Sequence, residues 1–339
     1  MMYLSSPTTI FVFVSVCLAA AESNTTYPQA KPALAVNFPD PALVSVDGMW
    51  LAFATAGNGR NVQVAASASF SEHSWRLLED VDVLPDPGPW AANDRNIWAP
   101  HVYELEDGRW VMYYAATVKN ETSKHCVGAA LSTSVLGPYS PVKKPFACPL
   151  DDGGAIDPAA FRDPKDGNLY VVYKVDGNSM NPGGGPCGSG GLPQDYRPTP
   201  ILLQQIEEDG VTRIGEPIEV LDRDEADGVL VESPSLFYSG SQELYFMTFS
   251  SNCYSTEHYD ISFAFSEHLT MPFTKSSYPL MTTQTGPVTA PGGADMTPDG
   301  KFALFHGTVG QYESGEPIRH MFAAEAMQMG TDMSAWPIR

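Results

Sequence analysis

From residue 37 onward, short apolar runs rich in Tyr, Phe and Val alternate with polar turns, and the alternation recurs as a larger unit. Each unit opens on a small or acidic residue followed by Pro. It continues through an apolar stretch, turns at Gly or Asp, and enters a strongly β-prone run. Five segments fit: 40–55, 99–115, 157–175, 233–250 and 290–307. Their prolines (Pro41, Pro100, Pro158, Pro234, Pro291) fall 59, 58, 76 and 57 residues apart. The one long interval coincides with a Gly- and Pro-rich stretch at about 180–200, which cannot form a regular element. Runs such as Trp110 to Tyr114 predict second strands, and weaker runs such as Cys126 to Leu131 predict outer ones. Long amphipathic helical patterns are absent. Units of four short antiparallel strands at this period predict an all-β, five-bladed β-propeller over residues 34–339, in preference to a β-sandwich, which does not repeat in this way.

That frame predicts which residues meet. First strands of propeller blades line a central channel, so Asp40, Trp98, Asp157, Glu232 and Gly293 are expected on one rim. Antiparallel second strands return to the same face, which adds Lys174, Asn252 and His306. An Asp before Pro is ordinarily a turn former. Three carboxylates converging from three blades are another matter, because like charges around one channel are costly unless something uses them.

Charge and composition narrow the classes. Lys plus Arg number 19 against 40 Asp plus Glu, a formal net charge of -21, and no basic run exceeds Lys143 with Lys144. That excludes a phosphate-tracking nucleic-acid surface and an anionic membrane surface. The apolar run at 10–21, ending in three alanines, reads as a signal peptide over residues 1–21, followed by an N-terminal segment at 22–33; it is too short to span a bilayer. Cleavage would leave Cys126, Cys148, Cys187 and Cys253, an even number suited to two disulfides in an oxidising compartment. Spacing favours Cys126 with Cys148 and Cys187 with Cys253, although four cysteines allow three connectivities. Sequons at Asn24 and Asn120 are candidate glycosylation sites of a secreted protein.

Three carboxylates suit hydrolysis of a glycosidic bond, in which one carboxylic acid protonates the leaving oxygen and one carboxylate activates water or attacks the sugar. A third raises the acid's pKa by like-charge repulsion. Metal hydrolysis fits less well, since the seven histidines show no paired ligand spacing. Asp222 to Gly228 resembles a calcium loop only loosely, with Ser233 where the closing Glu belongs.

These motifs resemble a known family. Asn37 Phe38 Pro39 Asp40 Pro41, then Trp98 Ala99 Pro100, then Ile156 Asp157 Pro158 with Phe161 Arg162 Asp163, then Glu232 Ser233 Pro234 look like the blade openings of glycoside hydrolase family 43. The resemblance runs from about residue 34 to the C-terminus. It implies an inverting mechanism with Asp40 as general base, Glu232 as general acid and Asp157 tuning that acid and orienting the sugar. It also implies a sugar pocket built by Phe38 and Trp98, with Lys174 and His306 on its wall. Many members hold an ion on the axis with a His shortly after the fifth-blade Pro; here that stretch reads Pro291 Gly292 Gly293 Ala294 Asp295, which argues against a central calcium, and no cofactor is required. The expectation is a secreted monomer cleaving α-L-arabinofuranosyl linkages in plant cell-wall pentose polysaccharide. A β-xylosidase and a non-catalytic carbohydrate-binding propeller are the alternatives.

Overall fold

A computed structural model describes residues 29–71 and 74–338. Twenty strands form five four-stranded antiparallel sheets, each meandering in chain order. Blade one holds β1 (Ala42–Val46), β2 (Met49–Ala54), β3 (Gln63–Ser67) and β4 (Arg76–Leu77), and blade two holds β5 (Ile97–Glu104), β6 (Trp110–Val118), β7 (Glu121–Ser132) and β8 (Ser140–Pro141). Blade three is built from β9 (Ala155–Arg162), β10 (Leu169–Val175), β11 (Ile201–Ile206) and β12 (Arg213–Leu221). Blade four contains β13 (Val231–Ser239), β14 (Leu244–Ser251), β15 (Asp260–Ser266) and β16 (Thr274–Lys275). Blade five contains β17 (Gly292–Met296), β18 (Phe302–Gln311), β19 (Pro317–Met329) and β20 (Asp332–Pro337). Innermost strands touch in sequence, β1 to β5, β9, β13 and β17, and β17 returns to β1. The fold is the five-bladed propeller that the repeat predicts.

Period-two alternation explains the packing. In β6, Val111 and Tyr113 enter a core shared with blade three, while Met112 and Tyr114 enter one shared with blade one. Each of the five blade interfaces has such a core, so a central strand is apolar on both faces. Each large side chain so buried contributes about 1.5–3 kcal/mol.

The ring closes on the N-terminal segment. Strand β20 covers β19 only from Ala324 outward. Leu34 pairs with Met321 on the remaining edge, exchanging N–H···O bonds of 3.2 and 3.3 Å, and the Phe38 N–H bonds Arg319 O at 2.8 Å. Phe38 is completely enclosed with Leu34, Ala52, Leu304 and Met321. The expected sugar-pocket role for Phe38 needs correction: this ring is core, with no face free for a ligand.

In four inner strands the register slips at the repeat motif. Trp98 and His101, Glu232 and Ser235, and Gly292 and Asp295 bracket bulges, and β9 slips between the partners of Val172 and Lys174. The bulged residue has positive φ: Ala99 (40°), Asp157 (55°), Ser233 (53°) and Gly293 (57°), with Asp40 (53°) just before β1. The fifth blade differs from the sequence frame, because its channel turn is Gly293 with Ala294, three residues beyond Ala290 with Pro291. Ala290 also has positive φ (45°), so the same local signature occurs one step outside the ring. The stretch 180–200 contains no strand, only short 3-10 turns such as Pro186–Gly188 and Pro193–Asp195. Disulfides join Cys126 to Cys148 and Cys187 to Cys253. Asn120 is exposed in the β6–β7 turn; the signal-peptide segment and Asn24 lie outside the described residues.

Candidate active site

A buried bulge exposes a backbone N–H that the ladder no longer pairs, and such a group needs an acceptor. The preceding blade supplies it. Thr55 Oγ1 accepts from Ala99 N (2.9 Å), Asp157 Oδ2 from Ser233 N (3.0 Å), Ser250 Oγ from Gly293 N (3.0 Å), and His306 Nδ1 from Asp40 N (3.1 Å). Four of the five blades thus fix the next blade's turn; blade two instead reaches blade three through His101 Nδ1, which accepts Ala160 N. Thr55 and Ser250 each close a repeat segment, and His306 stands one residue before the end of its own. Lys174 faces Ile156 across the β9–β10 ladder as Ser250 faces Glu232 and His306 faces Gly292. Asn252, the residue expected there, lies two positions on, where its N–H bonds Asp227 O.

The carboxylates differ in charge state. Asp40 accepts the Thr55 hydroxyl on Oδ2 at 2.6 Å and lies 3.3 Å from both Arg319 Nη1 and His306 Nδ1 through Oδ1. Burial opposes its ionisation, but the Arg319 guanidinium and the Thr55 hydroxyl outweigh burial and hold its pKa below the usual carboxylate value. His306 is completely enclosed and stacked on Tyr259 at 5.8 Å. Burial, with the Arg319 charge, pulls His306 down to about 3, so the ring is neutral and its Nδ1 lone pair is free to accept the Asp40 amide.

Asp157 goes the other way. It accepts only from Ser233, through N (3.0 Å) and Oγ (3.3 Å). Burial and the Glu232 charge push its carboxyl well above the usual range, with Lys174 opposing and Asp40 adding. Glu232 accepts Lys174 Nζ on Oε2 (3.1 Å) and the Tyr259 hydroxyl on Oε1 (2.8 Å). Lys174 is fully enclosed, and its other bond goes to Asp176 at 3.1 Å. Burial works against its charge, but Glu232, Asp176 and Asp157 hold the ammonium charged beyond its ordinary range. Lys174 and His306 thus act on the carboxylates rather than facing open solvent. Trp98 is half-buried, stacked on His125 with ring centroids 3.5 Å apart and tied through Nε1 to Asn96 Oδ1 at 2.7 Å. Sequence reasoning missed Arg319, Thr55, Tyr259 and Ser250. Aligning the ends of the repeat segments reaches Thr55 and Ser250; Arg319, on β19, carries no such signal.

Below the carboxylates the axis narrows to a cavity of about 40 Å³ lined by five triplets starting at Asp40, Ala99, Asp157, Ser233 and Gly293. Asp295 spends Oδ2 on Leu43 N and Oδ1 on Ser235 Oγ, both at 2.7 Å, while His101 Nδ1 accepts Ala160 N at 3.3 Å. A calcium ion wants six to eight oxygen ligands. Asp295 is engaged on both oxygens, Asp40 on both through Thr55 and Arg319, Asp157 on Oδ2 through Ser233, and the His101 imidazole is engaged as well, which leaves too few free oxygens for such an ion. The described residues contain no cluster of three or more His, Cys, Asp or Glu able to hold a metal.

A carboxylate held ionised and, beside Glu232, a buried Asp157 carboxyl pushed well above the usual range, together at the mouth of a five-bladed propeller, are the equipment of a glycoside hydrolase. The chain belongs to the glycosyl hydrolases family 43, whose model matches residues 29–332. It is 30% identical over 165 residues to an extracellular endo-α-(1→5)-L-arabinanase of Thermotoga petrophila, covering 40% of this chain and 33% of that protein. Extracellular endo-α-(1→5)-L-arabinanase 2 of Bacillus subtilis is 27% identical over 168 residues, covering 44% of this chain and 35% of that protein. These matches span about a third of each relative's length. Among solved structures, a thermostable family-43 glycoside hydrolase superposes with a TM-score of 0.72 at 21% identity, covering 91% of this chain and 95% of that one.

Proposed function

We propose that the protein is a secreted, inverting glycoside hydrolase that releases α-L-arabinofuranosyl units from plant cell-wall arabinan or arabinoxylan. The observation that carries the reading is the opposite bias of two carboxyls on one rim, Asp40 held below the usual range and Asp157 above it. Asp40 takes a proton from water as the water oxygen bonds the anomeric carbon. The glycosidic C–O bond breaks in the same step, and the departing oxygen takes its proton from Glu232. The buried Asp157 carboxyl, pushed well above the usual range, stands beside Glu232 as the tuning group, and Lys174 orients Glu232 for delivery. The arabinose preference is supported by the two arabinanase relatives. Secretion is supported by the two disulfides, the apolar N-terminal run and the extracellular naming of both relatives.

Assay of Asp40→Asn and Glu232→Gln on aryl α-L-arabinofuranoside and aryl β-D-xyloside tests the roles. Each is expected to lose on the order of 10²- to 10⁴-fold in kcat. Proton NMR of the first-formed anomer checks stereochemistry, and a retained configuration would sink the inverting assignment. Wild type inert on both glycosides yet binding arabinan would instead favour a binding module.

A further inference from the structure

The connections between second and third strands are unequal. Blade two uses only residues 119 and 120, whereas blade three uses 176–200. Both ends of that longer segment are fixed beside Glu232. Asp176 at its start binds Lys174, and Lys174 binds Glu232. Thr199 near its end accepts the N–H of Val231, the residue before Glu232, at 3.0 Å. Its middle is tied by Cys187 to Cys253 in the β14–β15 connection, over a small cluster of Val229 and Leu230 against which Tyr196 and Tyr254 pack. Tyr254, next in chain after Cys253, stands over the Arg319 guanidinium at 4.9 Å and donates its hydroxyl to Glu316 at 3.1 Å. Arg319 reaches Asp40. From Glu316 the β18–β19 hairpin continues outward with Val309 and Tyr312 exposed. One braced band therefore runs from the acid to the base through blades three, four and five.

Resting on the glycosidase reading above, we propose that this band is the blind end of the substrate pocket, that the enzyme acts from a chain end or on single-unit branches, and that Tyr254 sets this specificity. A polymer threading past both carboxylates would have to cross a wall fixed by a disulfide and by the stacked Tyr254–Arg319 pair. A terminal furanosyl unit has only to enter it. Tyr254 touches Arg319 rather than the reacting groups, so its effect falls on binding and product length.

The test digests linear α-1,5-arabinan and a reducing-end-labelled arabino-oligosaccharide with the full chain and sizes the products at early times. Wild type is expected to release monosaccharide only, with little loss of arabinan viscosity. Tyr254→Ala, and separately the Cys187→Ser/Cys253→Ser pair, are expected to release di- and trisaccharides and to raise KM on aryl α-L-arabinofuranoside about tenfold with kcat little changed, as loss of one stacked aromatic contact implies. Tyr254→Phe, which keeps the ring over Arg319, is expected to retain the wild-type pattern. Early oligosaccharides and a rapid viscosity loss with wild type would overturn the blind end while leaving the glycosidase reading intact. An unchanged pattern and KM in folded Tyr254→Ala would overturn the role of Tyr254, and if that variant fails to fold, the wild-type products still decide the blind end. Wild type inert on aryl arabinofuranoside and aryl xyloside alike would remove the glycosidase reading and this proposal with it.

Discussion

Asp40 and Asp157 occupy equivalent left-handed positions on two blades, yet their surroundings push them apart. Asp40 has a guanidinium and a hydroxyl on its oxygens; Asp157 has two Ser233 donors, burial and a neighbouring carboxylate. On the proposed mechanism, activity needs Asp40 ionised, which sets an acid limb at low pH, and a proton available to Glu232 beside Asp157, which sets an alkaline limb. Replacing Asp157 by Asn removes the charge that retains this proton, so the alkaline limb of kcat is expected to move to lower pH while the acid limb stays; a pH–rate profile checks it. Stability follows the same sign. A carboxyl whose folded pKa lies above its unfolded value costs stability as pH rises from the unfolded toward the folded value. Asp157→Asn is thus expected to raise Tm by about 2 °C or more at pH 8, with the gain shrinking toward pH 4, read by thermal scans across pH. The position of the carboxylates was legible in the Pro motifs. Their charge states were not, because Arg319, which sets one of them, lies 279 residues from Asp40 and has no motif of its own.

A left-handed residue at the channel turn recurs five times, and for a non-Gly residue it costs about 1–2 kcal/mol. Four blades accept that cost with Asp40, Ala99, Asp157 and Ser233; the fifth avoids it with Gly293. Gly293 also has no room for a side chain. A Cβ there would lie 2.7 Å from His306 Nδ1 and 3.0 Å from Asp40 Oδ1. Gly293→Ala is expected to push His306 off the Asp40 amide and lower kcat by about tenfold or more while the fold persists, measured by steady-state kinetics beside circular dichroism. Strand order and blade count followed from the spacing of the prolines, because the X–Pro pair marks the bulge itself. The fifth-blade frame did not, since Ala290 with Pro291 imitates the signature three residues early. Phe38 misled for a similar reason: sequence shows an aromatic beside Asp40, but only the closing contact with β19 shows that its ring is consumed by the core.

At the scale of the molecule, five equivalent cores and one non-covalent seam hold the ring. Leu34 is the apolar anchor of that seam. Leu34→Ala is expected to cost about 2–5 kcal/mol, and the loss of activity on heating is expected to track the loss of near-ultraviolet dichroism, because the seam and the Asp40–Arg319 contact share β19. The high Gly and Pro content resolves into bulges, hairpin turns and the 180–200 stretch, and the acidity into solvated surface plus a few groups with defined work.

The seam also sets a sequence of events in time. Synthesis delivers Asp40 early, but its amide and carboxylate wait for His306 and Arg319 at the far end of the chain. On the proposed roles, a growing polypeptide carrying four finished blades has its acid and its tuning carboxylate but an unfinished base. The proposed hydrolytic competence is therefore a property of the closed ring alone, and it waits for blade five to be made and docked.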